Sequence, residues 1–299
     1  MVRGVQGYRR RVDEQEALTA LATVGLHPRR AEPILGGWAS WTFDLDGEHI
    51  VRFPRHDDVA AAARRELALL PELTVHLSYA VPNPTQVGVW RERPFFAYPR
   101  IPGRPLHADD ASPATFERLR EALGELHTFP VDRAAELVGA GSPEGAWRRH
   151  YDRLWPIIEQ HALPVIEPSV ADEVRVAFSA FVERIDTLPH CLVHNDLGLE
   201  HLLVDPSTND LTGMIDFEDA TIGDPAIDVV PLRAAFGREA VAQIFRGRDI
   251  GDRVDERLHF YRWMGSVHAI IYGVTQDVAD ELEHGRSELT RRLHSPVIG

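Results

Sequence analysis

Apolar and polar positions follow two different rhythms along this chain, and the change of rhythm divides it. Val12 to Leu26 keeps a helical period, with Asp13 placed to cap the first turn. From Ile34 to Arg55 the period shortens to two. A Gly-Gly pair leads into aromatic and β-branched residues, which are interrupted by Asp46-Gly47. Asp-Gly between two such runs predicts a hairpin. Arg52 alternates with Val51 and Phe53, so its side chain is expected on the opposite face of its strand. Asp57 to Leu70 reads as an alanine-rich helix that Pro71 is expected to close. Strand texture returns from Val81 to Tyr98.

Pro99-Arg100-Ile101-Pro102-Gly103-Arg104-Pro105 is dense in Pro and Gly and reads as a linker. Beyond it the pattern is mostly helical. Ser112-Pro113 forms a cap and first-turn pair, and Phe116, Leu119, Leu123 and Leu126 share one helical face. Helices are predicted over Trp147 to Gln160, Val170 to Ile185 and most of Asp224 to Leu293. Two short strands, Leu202 to Val204 and Leu211 to Asp216, flank a turn at 206–210. The predicted class is α+β, with a strand-rich N-terminal lobe over 1–98, a hinge over 99–105 and a helical lobe over 106–299.

Composition narrows the function classes. The 299 residues are 44% hydrophobic and 26% charged, ordinary for a soluble globular protein. No apolar run approaches the roughly 18–20 residues needed to span a bilayer, and no apolar stretch follows the basic N-terminus as in a signal peptide. Cys191 is the lone cysteine, which excludes an internal disulfide framework. These features predict a cytoplasmic protein without a membrane partner. The net charge of −14 argues against nucleic acid and suits a cationic small-molecule substrate. The chain contains no lysine; all 32 basic residues are arginine. A Schiff-base lysine and a Walker P-loop are therefore excluded, and any cation in a site must be a guanidinium.

The densest polar cluster runs Cys191-Leu192-Val193-His194-Asn195-Asp196-Leu197-Gly198-Leu199-Glu200-His201-Leu202-Leu203-Val204. An apolar entry strand and an apolar exit strand bracket a loop that can hold carboxylate and imidazole groups at a fixed point. Twenty residues beyond Asp196, the apolar run Gly213-Met214-Ile215 ends in Asp216, followed by Phe217-Glu218. Phosphoryl transfer needs a carboxylate to orient the attacking hydroxyl, ligands for magnesium and cations on the phosphates. Asp196, then a metal ligand at His201, then Asp216 supply those parts in the order used by eukaryotic-like kinases.

The run from His194 to Asp205, with Gly213 to Asp228, resembles the aminoglycoside and macrolide phosphotransferase family, with weaker similarity over nearly the whole chain. The resemblance implies a bilobal protein-kinase-like fold and transfer of the γ-phosphate of ATP or GTP to an antibiotic hydroxyl. It implies Asp196 as the catalytic carboxylate and His201 and Asp216 as ligands for Mg2+. Gly37-Trp38-Ala39-Ser40-Trp41 resembles the nucleotide-positioning loop. Arg52 stands where the family places its phosphate-contacting cation, Glu66 where a helix glutamate pairs with that cation, and Tyr98 to Ile101 at the nucleobase-reading hinge. Asp224 and Asp228 match a family element and read as a helix cap and a loop anchor. The commonest family loop has Asn where this chain has His201; His here resembles the 2″-aminoglycoside branch and the macrolide kinases. Asp280, Glu281 and Glu283 resemble the acidic substrate-binding helices of the 2″ branch, whereas Phe236-Gly237 resembles the macrolide kinases. The expected protein is a monomeric antibiotic kinase, with a macrolide kinase, a metabolic alcohol kinase and an inactive nucleotide- or drug-binding module as alternatives.

Overall fold

Asp13 caps the first helix in a reciprocal box with Glu16, whose backbone N–H donates to the Asp13 carboxylate at 2.9 Å. The structure, a computed structural model, describes residues 11–35, 39–248 and 251–295. Helix α1 (Glu14–Ala22) is followed by β1 (Ala31–Ile34), β2 (Ser40–Leu45) and β3 (His49–Pro54). The predicted β2–β3 hairpin forms, and Asp46 and Gly47 turn the chain with φ of 55° and 77°. Then come α2 (Asp57–His76), β4 (Gln86–Trp90), β5 (Arg93–Pro99) and the short β6 (Arg104–Pro105). Helix α2 does not stop at Pro71 as expected. Leu69, Leu70 and Leu73 are buried on one face, and that packing carries the helix through the single backbone bond that proline forgoes.

The remaining elements are α3 (Pro113–His127), α4 (Val131–Leu137), α5 (Ala146–Ile157), α6 (Pro168–Val182), β7 (Cys191–Val193), β8 (Leu202–Val204), β9 (Leu211–Met214), β10 (Thr221–Gly223), α7 (Val230–Ile244), α8 (Val254–Gln276) and α9 (Ala279–His294). Ser112 caps α3 as predicted, accepting from Thr115 N. A short π-helical stretch, Ile158–Ala162, continues α5.

The chain folds as two compact units. Of the described residues, one contains those up to Pro105 together with His201–Asp219; the other contains Leu106–Glu200 and those from Ala220 onward. The β8–β9 hairpin thus belongs to the strand-rich unit, although the segments that precede and follow it belong to the helical one.

In the strand-rich unit an antiparallel sheet runs β1-β2-β3-β5-β4. On one face, Phe43, Leu45, Val51, Phe53 and Phe95 pack with Ala17, Ala20 and Leu21 of α1. On the other, Phe96 and Tyr98 pack with Ala63 and Leu67 of α2. A second sheet orders β6-β8-β9. It touches the segment after α2 through Gly213, where a β-carbon would come within 2.7 Å of both Ala80 O and Ile101 Cγ2.

In the helical unit β7 and β10 pair antiparallel, and Trp147 lies against Gly223. An aromatic core joins Tyr151, Phe178, Phe181, Phe260 and Trp263, with the Phe181 and Phe260 rings stacked at 3.7 Å. Gly237, at φ 82°, breaks α7 into two segments. Among the described residues no helix is long and apolar enough to cross a membrane.

Candidate active site

In the helical unit the loop after β7 presents Asp196 to solvent while its neighbours are held inside. His194 and Leu197 are buried and Asp196 is exposed. The loop turns sharply, with Asn195 in the left-handed region at φ 69°, a conformation that Asn tolerates better than most residues. One carboxylate holds the turn. Asp228, fully buried, accepts from His194 N at 3.0 Å through Oδ2 and from Asn195 N at 2.8 Å through Oδ1. His127 Nε2 lies 2.9 Å from Asp228 Oδ2, and Arg248 reaches His127 Nδ1. Asp224, the expected helix cap, accepts from Ala226 N at 3.0 Å, Arg257 at 3.2 Å and Tyr261 Oη at 2.7 Å. It caps the turn before α7 from a fully buried position.

In the strand-rich unit Arg52 is buried beneath α2, on the sheet face opposite Val51 and Phe53. Its Nη1 donates to Glu66 Oε1 at 3.0 Å and Oε2 at 3.2 Å. Its Nη2 pairs with Asp216 Oδ1 at 2.8 Å and with Glu218 Oε2. The guanidinium also lies over the Phe96 ring, 5.8 Å from its centroid. His201 Nε2 stands 3.7 Å from Asp216 Oδ2, and His201 O accepts from Ile215 N at 2.9 Å. Asp216 adopts φ 71°, a backbone strained for a residue with a β-carbon.

Three carboxylates share this one guanidinium, and the proton affinities of Glu66 and Glu218 reflect it. Burial lowers the proton affinity of Arg52, but Glu66, Asp216 and Glu218 more than reverse that and hold it charged. Burial pushes Glu66 up to about 7 against the pull of Arg52, and Glu218 up to about 8 against the same pull. Burial also raises Tyr98, whose ring lies on this face of the sheet. One cation does not neutralise three anions, so desolvation outweighs attraction at Glu66 and Glu218.

The other predicted residues take varied places. Ser40 is buried at the start of β2, opposite Pro54; Gly37 and Trp38, from the same expected loop, lie outside the described residues. Tyr98 is still inside β5, paired with Ile50, and Ile101 is buried beside Gly213. Asp280 and Glu281 occupy the first turn of α9. Glu283 is engaged by Arg286 at 2.9 Å in an exposed pair, the ordinary arrangement of a solvated helix face. Sequence reasoning did not find three contributors. Glu218 lies two residues beyond Asp216, and nothing in the local pattern points it at Arg52. His127 and Arg248 carry no local pattern; only the fold brings them to Asp228.

The sequence profile of the phosphotransferase enzyme family, APH, matches residues 30–263. The chain belongs to that family. It is a phosphotransfer enzyme of the kind that acts on hydroxyl groups, and the resemblance carried by the two motifs is borne out. Viomycin phosphotransferase from Streptomyces vinaceus is 26% identical over 224 residues, covering 71% of this chain and 76% of that protein. Protein YcbJ of Bacillus subtilis (strain 168) is 24% identical over 219 residues, 67% of each chain. Among solved structures, the GDP and kanamycin complex of APH(2")-IIIa superposes with a TM-score of 0.81 at 23% identity, covering 93% of this chain and 98% of that one. Macrolide 2'-phosphotransferase type I gives 0.69 at 22% identity, covering 92% and 96%. These likenesses establish the kinase-like α+β fold expected from the sequence.

Phosphoryl transfer commonly uses magnesium to neutralise the donor phosphates, and the side chains here would offer donors for it. Among the described residues no three His, Cys, Asp or Glu side chains form a ready-made metal cage. Magnesium seldom uses one: it keeps waters and takes one or two carboxylates plus substrate phosphates. Asp216 offers the oxygen and the neighbouring His201 an imidazole nitrogen.

Proposed function

We propose that this enzyme transfers the γ-phosphoryl group of ATP or GTP to a hydroxyl of an antibiotic, an aminoglycoside first among the candidates. The observation that carries the reading is the loop after β7. Asp196 is exposed there, and the two residues before it have their backbone fixed by one buried carboxylate. Asp196 accepts the proton of the acceptor hydroxyl as its oxygen bonds to the γ-phosphorus and the bond to the bridging oxygen breaks. Asp216 and His201 would hold magnesium, which supplies charge neutralisation on the phosphates. Arg52, held in place by Glu66, supplies the remaining cation on the donor side. Ser40 and the stretch from Tyr98 to Ile101 are the proposed nucleotide contacts. Asp280 and Glu281 are the carboxylates proposed for a cationic acceptor.

The acceptor class is supported by the relatives. One is a viomycin phosphotransferase, and similar folds have been solved with kanamycin, gentamicin and streptomycin. Others were solved with GDP or ADP, which supports a purine nucleotide donor. The net charge of −14 favours a cationic acceptor. The test is nucleotide consumption by the purified protein with magnesium, using ATP and GTP separately against aminoglycosides, viomycin and macrolides. Turnover stimulated by an aminoglycoside is the expected result. Stimulation by a macrolide alone would replace the acceptor, and silence across the panel would overturn the antibiotic reading.

A further inference from the structure

We propose that His127 and Arg248 are positioning residues for the loop that carries Asp196, acting through Asp228. The inference rests on the catalytic reading of Asp196 given above.

Asp228 spends one oxygen on each of two successive backbone N–H groups, His194 through Oδ2 and Asn195 through Oδ1. That pair of bonds fixes the loop only while the carboxylate plane stays fixed, because rotation about the Cβ–Cγ bond would break both. The third bond, from His127 Nε2 to Oδ2 at 2.9 Å, opposes that rotation. For this bond to hold, Nε2 must carry a proton.

Arg248 decides that point. A guanidinium only donates, so the His127 Nδ1 that faces Arg248 must be the acceptor. In a neutral imidazole the proton then resides on Nε2, where it points at Asp228. With Arg248 gone, the alternative tautomer becomes available, and it would set a lone pair against a carboxylate oxygen. The relay therefore runs from Arg248, in the turn segment that follows α7, through His127, the last residue of α3, to a buried carboxylate and into the backbone beside Asp196. His127 and Asp228 are both buried, which shields these bonds from competing water.

A brace that merely holds the fold and a brace that sets the loop make different predictions. The variants are His127→Leu, His127→Gln, Arg248→Leu and the double variant of the last two, all in the full chain. Three properties are read: kcat and KM, melting temperature, and hydrogen exchange of the peptide spanning 191–199. Loss of the Nε2 donor in His127→Leu should lower kcat by about 100-fold. Its KM for nucleotide should stay within about twofold, because only the loop moves. The loop amides should lose protection. Glutamine places an N–H near the position of Nε2, and its amide can turn that N–H toward the carboxylate by bond rotation without any proton having to move. His127→Gln should therefore recover protection and most of kcat. Arg248→Leu should impair the enzyme when His127 is present and add nothing to His127→Gln.

That non-additivity shows Arg248 acting through His127, and the loss of loop protection with kcat falling while KM holds is what a brace serving the fold alone would not produce. The proposal is overturned if the loop keeps its protection in His127→Leu, or if Arg248→Leu has the same effect with and without His127→Gln. Should His127→Leu fail to fold, the comparison of His127→Gln, Arg248→Leu and their combination decides by itself. Hydrogen exchange needs no acceptor, so it tests the relay even if the antibiotic reading fails.

Discussion

Arg52 on β3 and Glu66 on α2 form a buried ion pair in which one nitrogen, Nη1, lies 3.0 and 3.2 Å from the two carboxylate oxygens. The second guanidinium nitrogen is thereby turned toward Asp216 and Glu218. An ammonium has no such fork. In a chain without lysine, the planar group both pairs with the helix and reaches the carboxylates beyond it.

The crowding of carboxylates around Arg52 has a stability signature. Glu218 is raised to about 8 by burial against the pull of Arg52. A carboxyl group whose folded value lies above its unfolded one stabilises the fold below the unfolded value, near 4.5, and loses that contribution as pH rises through 8. Glu218→Gln removes the titration. Its melting temperature should match the wild type near pH 5 and exceed it near pH 9. Equal melting temperatures at both pH values would contradict the desolvation argument.

His150 predicts the opposite slope. It stacks on Trp147 at 4.8 Å between centroids, and burial lowers it to about 4. The unfolded chain then binds more protons between about pH 6.5 and 4, so stability falls as pH drops through that window. The shift from 6.5 to about 4 corresponds to about 3 kcal/mol. His150→Phe keeps a ring on Trp147 and removes the proton site. Chemical denaturation between pH 7 and 4 should show a flatter profile for the variant; parallel profiles would remove His150 from the acid response.

Part of this architecture was legible in the sequence, because the signals were local. The Asp13 cap, the Asp46-Gly47 hairpin and Ser112-Pro113 each depend on a few adjacent residues, and each forms. Strand alternation put Arg52 opposite Val51 and Phe53, although it could not tell that α2 would cover that face. Pro71 misled because a local breaker was outweighed by burial of Leu69, Leu70 and Leu73. The β7–β10 pair brings together residues about thirty apart, and β10 has no recognisable texture in three residues. Asp196 and Asp216 stood out through their motifs. His127 and Arg248 did not, since their meaning arises only from contacts at separations of 101 and 121 residues.

Gly213 offers a test of the second sheet. A β-carbon there would sit 2.7 Å from the backbone oxygen of Ala80, which cannot swing away as a flexible side chain can. Gly213→Ala should therefore destabilise the protein by roughly 1–3 kcal/mol. It should also weaken magnesium-dependent nucleotide binding, because Gly213 lies three residues before Asp216. Urea denaturation and nucleotide titration measure both effects. Unchanged stability would show that the Ala80 segment yields.

The central claim is that Asp196 carries the chemistry and takes no part in holding the nucleotide. The most direct measurement compares wild type with Asp196→Ala in two assays, acceptor-stimulated nucleotide turnover and nucleotide binding with magnesium. The account predicts that turnover in the variant falls by at least about 100-fold, while the nucleotide Kd stays within about threefold and the melting temperature is unchanged. A variant that turns over at the wild-type rate would contradict it.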